Sequence, residues 1–156
     1  MKNSSALLRF LLTLIVTLFI DSCEKDKIED PLTSELTGSW KVISFEDYET
    51  STKITKTIDN TWPQFFNLDN TVSFIMSNST SGVIEGFNVT NSFHGNYVID
   101  QKGMILINNV IWTERGEPEW GYLFHSIEEA ESYEIRSDQL IIFYNQKKNS
   151  ITLQKN

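Results

Sequence analysis

The residues from Leu36 onward predict a mainly β fold (α+β), an antiparallel sheet or barrel with one helix packed on it. Three observations carry this. Short β-branched and aromatic runs are punctuated by Asn, Ser, Thr, Asp and Gly, as in strands joined by tight turns. A single segment departs from the period-two alternation. No Gly/Ser- or Pro-rich linker divides the body, so the 156 residues fit one domain after an N-terminal leader.

The leader comes first. Lys2 and Arg9 precede an apolar run over residues 11–20, the basic and hydrophobic regions of a secretory signal peptide. That run spans about 15 Å as a helix, short of the ~20 residues that cross a bilayer comfortably. Ile20, Asp21, Ser22 and Cys23 resemble the lipobox of bacterial lipoproteins. An aliphatic residue lies three before the cysteine and a small one just before it, although Asp21 stands where a small neutral residue is usual. Ser22 and Cys23 are then the signal-peptide cleavage site, and Cys23 takes the lipid. Two or more acyl chains anchor a protein stably where one is marginal. Residues 24–35 are charged, carry Pro31 and lack apolar periodicity, and read as a tether. The expected organisation is a signal peptide (1–22), a tether after the lipidated cysteine (23–35) and a β domain (36–156). The expected place is the cell envelope, lipid-anchored to the outer membrane on its periplasmic or its outer face.

In the body, strands are expected at 39–46, 53–58, 71–77, 83–87, 95–99, 104–107, 110–113, 133–136, 139–144 and 150–154. Asp100-Gln101-Lys102-Gly103 and Ser137-Asp138 supply hairpin turns, and 145–149 a polar tip. Between 117 and 132 the apolar residues Trp120, Leu123, Phe124, Ile127 and Ala130 step at helical intervals. Pro118 suits the first turn, and Glu117 and Glu119 suit the positive N-terminus.

Composition excludes more than it selects. With 13 basic and 21 acidic side chains, a net charge of −8, the chain lacks the basic footprint of a nucleic-acid binder. One cysteine allows neither an internal disulfide nor a cysteine-rich metal site. No phosphate-binding loop, dinucleotide fingerprint, nucleophile elbow or zinc-protease motif occurs. His94 and His125 are expected to face solvent. The acidic groups Glu46/Asp47/Glu49 and Glu128/Glu129/Glu131 read as solvated surface, without the apolar setting of a glycosidase acid or the spacing of an EF-hand. The expectation is a protein without catalytic residues, metal or cofactor. The remaining lead is aromatic: Trp62, Phe65, Trp112 and the nearby Arg115 form a candidate binding surface.

Asn91, Phe93, Gly95 and Tyr97 form an Asn-x-Phe-x-Gly-x-Tyr string. Phe93 and Tyr97 share one face of a strand, Gly95 between them leaves room for close packing or a bulge, and Asn91 suits a left-handed or turn backbone. The string resembles the signature of the META (HslJ-like) domain family. Leu36-Thr37-Gly38-Ser39-Trp40 is similar to that family's opening strand, and 133–140 to its final hairpin. Many members carry a cysteine before the Asn and another after the threonine ending the next hairpin. Here Thr90 and Glu114-Arg115-Gly116 stand at those places. Residues 47–66 match least and read as an insertion. The resemblance implies a barrel-like fold and a non-enzymatic envelope interaction or stress-related module, partnered by an envelope protein. The alternative is a lipocalin-like barrel for a small apolar ligand. An apolar barrel cavity above about 300 Å³ favours the second reading, and a filled core with an exposed aromatic patch the first.

Overall fold

Alternation of inward and outward side chains begins at Gly38, and a computed structural model describing residues 35–156 shows what it builds. The signal segment, Ser22, Cys23 and the tether up to residue 34 lie outside the described residues. No helix among the described residues is long and apolar enough to cross a membrane.

The strands are β1 (Gly38–Asp47), β2 (Thr52–Ile54), β3 (Thr71–Asn78), β4 (Ser81–Phe87), β5 (Ser92–Ile99), β6 (Ile105–Trp112), β7 (Ser132–Arg136), β8 (Gln139–Tyr144) and β9 (Asn149–Lys155). They form one antiparallel sheet in the order β6-β5-β4-β3-β1-β9-β8-β7, with β2 on the far half of β1. The sheet curls until its edge strands touch. Met104 bridges Ser132, the Ile105 N–H donates to Glu131 O at 3.1 Å, and the Tyr133 N–H donates to Gly103 O at 2.8 Å. Beyond that point β6 and β7 do not pair with each other, and the helical segment between them packs against β6 and β8. This is the mainly β half-barrel with one helix that the patterning predicts.

Three elements differ from expectation. The strands expected at 104–107 and 110–113 are the single strand β6. Asn109 takes φ 52°, and the β5–β6 register shifts between His94 and Asn96, so Asn108-Asn109 makes a bulge rather than a turn. The helix expected over 117–132 is only α1 (Glu119–Leu123), continued by a 3₁₀ segment (Phe124–Glu129). Phe124, Ile127 and Ala130 recur every third residue, which suits three residues per turn. The strand expected at 53–58 ends at Ile54, because β3 already occupies the near half of β1.

The concave face is filled. Trp40, Phe74, Tyr97, Trp120 and Phe124 are all essentially inaccessible. Trp120 meets Phe45 edge-on at 5.0 Å, and Phe74 meets Tyr97 at 5.3 Å. In β4 and β5 the two aromatics of the Asn-x-Phe-x-Gly-x-Tyr string lie over glycines of the facing strand. Phe93 pairs with Gly86 and Tyr97 with Gly82. A Cβ on Gly86 would sit 2.8 Å from the Phe93 ring, and one on Gly82 would sit 2.7 Å from the Tyr97 ring.

Candidate functional site

Three loops meet at one end of the half-barrel: 88–91 between β4 and β5, 113–118 between β6 and α1, and 55–70 between β2 and β3. Asn91 joins the first two. Its Oδ1 accepts the Arg115 N–H at 2.8 Å and the Thr113 hydroxyl at 2.9 Å. Its Nδ2 donates to Arg115 O at 3.0 Å and to Glu117 Oε1. Asn88 Oδ1 accepts the Asn91 N–H at 2.8 Å, and Thr90 Oγ1 donates to Gly116 O at 2.7 Å. The residue type suits Asn91 to a left-handed or turn backbone, and it does lie in the connection between β4 and β5. It is not among the positive-φ residues; its buried side chain does the work instead. Leaving such groups unpaired would cost about 1–3 kcal/mol each, so the loop is tightly held.

The third loop is fixed separately. Lys56 Nζ bonds Leu68 O and Asp69 Oδ1, both at 2.7 Å, and the Trp120 N–H donates to Asn60 O at 2.9 Å. A 3₁₀ turn (Pro63–Phe65) then presents Trp62, Phe66 and Leu68 to solvent, with Trp62 and Phe65 rings 5.9 Å apart.

Between these loops lie two adjoining clefts of about 370 and 530 Å³. Trp62, Phe65 and Gly116 line the smaller, Phe87, Asn91 and Asp69 the larger, and Leu68, Val89, Thr90 and Arg115 both. Three of the four residues of the sequence-predicted surface therefore meet: Trp62, Phe65 and Arg115. Trp112 does not join them. It ends β6 on the inward row opposite Phe93, its ring 4.4 Å from Phe93 and stacked on His125 at 4.0 Å, and its Nε1 bonds Glu128. His125 is correspondingly half-buried between Trp112 and Tyr122 rather than facing open solvent; His94 is exposed. Sequence reading missed Leu68, Val89, Asn88 and Thr90. The Asn-x-x-Asn spacing of Asn88 and Asn91 was the one available signal.

The polar groups around the clefts are amides, hydroxyls, the Asp69 carboxylate and one guanidinium, groups able to hold a ligand. Arg115 makes no ion pair among the described residues, whereas Asp69 is paired with Lys41 at 3.6 Å and Lys56 at 2.7 Å. The acidic group near β1 is used locally. Lys53 pairs with Glu46 at 2.6 Å and Lys148 with Glu49 at 2.9 Å. Asp47 Oδ1 accepts the Glu49 and Thr50 N–H groups, and the Thr50 N–H chiefly holds its carboxyl below the usual range. Among the described residues no cluster of acidic, His and Cys side chains could hold a metal.

No protein-family profile matches the chain, and no curated protein matches it. Two solved structures share its fold. One is the NMR structure of a protein from Burkholderia xenovorans (TM-score 0.59, 14% identity, covering 84% of this chain and 90% of that one). The other is the crystal structure of a DUF4847 family protein from Bacteroides vulgatus (TM-score 0.54, 17% identity, covering 78% and 94%). At such identities the likeness is one of fold.

Proposed function

We propose that this chain is a lipoprotein of the cell envelope, lipidated at Cys23, whose META-like domain is a non-enzymatic binding module acting through the cleft between Trp62 and Arg115. The observation that carries this reading is the contrast between a filled concave face and a cleft walled by the exposed rings of Trp62 and Phe87 beside the loops that Asn91 pins. A small apolar ligand in the manner of a lipocalin is the second reading. It is favoured by the size of the clefts, and it places the ligand in them rather than in the barrel interior. Under the META-like reading, the Thr90–Gly116 hydrogen bond spans the place where many members have cysteines.

Anchoring is tested by Cys23→Ser with fractionation and mass measurement. The variant should leave the membrane fraction and lose the lipid mass; unchanged mass and membrane association refute the anchor. Binding is tested by a photo-crosslinking residue at position 62, compared with one at position 75, on the outer face at the other end of the sheet. Discrete adducts from position 62 alone support the module. Identical products from both positions refute it.

A further inference from the structure

The proposed cleft has a chemical preference that its residues define. Both lobes are walled by apolar side chains, Leu68 and Val89 shared between them and Trp62 and Phe65 on one side. Among the described residues Arg115, at the junction, is the one cation lining either lobe. Its guanidinium has no ion-pair or hydrogen-bond partner among the described residues. The backbone beneath it does not move freely, since Asn91 holds both its N–H and its carbonyl, and Thr90 holds the next carbonyl. Two nearby acids are engaged elsewhere: Asp69 is shared by two lysines, and Glu117 accepts from Asn91 through one oxygen, while its other oxygen is buried against Gly121 without a hydrogen-bond partner among the described residues. A guanidinium carried on a held backbone, unpaired among the described residues and beside apolar walls, selects an anion that carries an apolar body. Its planar fork matches a carboxylate with two parallel bonds, and such charge-assisted bonds are the strong ones. The lobes, about 370 and 530 Å³, suit a body of drug-like or smaller size.

We infer that the cleft takes a small amphipathic monocarboxylate, with Arg115 as its carboxylate contact and Trp62, Phe65 and Leu68 around its apolar body. This rests on the binding reading above, and the test separates the two. The probes are 4-phenylbutyrate and its uncharged counterpart 4-phenylbutan-1-ol, titrated by calorimetry into the full chain purified from the envelope. The acid should bind at least tenfold more tightly than the alcohol. Arg115→Gln should weaken the acid tenfold or more and leave the alcohol unchanged, a tenfold loss being about 1.4 kcal/mol. Trp62→Ala with Phe65→Ala should weaken both. Equal binding of acid and alcohol, with Arg115→Gln silent, overturns the carboxylate assignment while leaving an apolar cleft. Absence of binding by the acid also overturns it, and the crosslinking comparison then decides the binding module on its own.

Discussion

The two ends of β5 begin from similar sequence material and finish oppositely. At one end Asn91 is buried and both its amide atoms are engaged, tying two loops together. At the other end Tyr97 is equally buried, yet its hydroxyl has no partner among the described residues and lies against Gly82. The first end spends polar groups to organise loops that carry a cleft. The second spends an aromatic ring to fill space, and its hydroxyl is a passenger. A buried polar atom thus organises loops here when it is saturated across two of them, not simply when it is buried.

That contrast can be attacked from both ends. The largest effect is expected at the filled end. Gly82→Val places a side chain where a Cβ alone would lie 2.1 Å from Ile75 O, and should cost more than about 4 kcal/mol in chemical denaturation. At the tied end, Asn91→Ala should cost about 2–4 kcal/mol, because several buried groups lose partners together. It should also abolish position-62 crosslinking, whereas a core variant of equal cost should spare it; equal loss in both would erase the contrast. Tyr97→Phe should be smaller and opposite in sign, a gain of about 1 kcal/mol from removing an unpartnered hydroxyl.

Tyr97 also gives an alkaline signature. Burial raises its pKa. The neutral hydroxyl's contribution is therefore full below the ordinary value near 10 and is lost as pH rises through the raised one. Tyr97→Phe should flatten that limb of a stability–pH curve; burial likewise raises Tyr144, which sets the residual slope. The smallest effect is at Asp47, whose pKa is lowered chiefly by the Thr50 N–H. Its contribution is present above the ordinary carboxylate range and lost as pH falls through the lowered value. Asp47→Asn should make the acid limb shallower.

The sheet was legible because alternation survives along β4 and β5, where every second residue is buried, and along the first half of β3. The helix was half legible: steps of three mark one face of either helix type, and only the contacts of Phe124 and Ile127 settle for 3₁₀. The candidate site was legible as residue types but not as a place. Trp112 is near Arg115 in sequence, yet strand alternation turns it inward against Phe93. Trp62, remote in sequence, packs beside Gly116, where a Cβ would lie 3.5 Å from its ring. Side-chain ties between loops carry no periodicity for a sequence to display.

The pairing of Phe93 with Gly86 and of Tyr97 with Gly82 has one more consequence. A one-residue slip of β4 on β5 would invert every face, and alternation already forbids it. A two-residue slip preserves the faces and is the error that patterning alone permits. Here, slipping two residues either way brings one aromatic ring onto Ile84 and sets a glycine opposite Gly95. One position is then overcrowded while another is left void, and both are costly in a close-packed interior. The glycine spacing thus works as a vernier that admits one alignment of the two strands and penalises its nearest competitors.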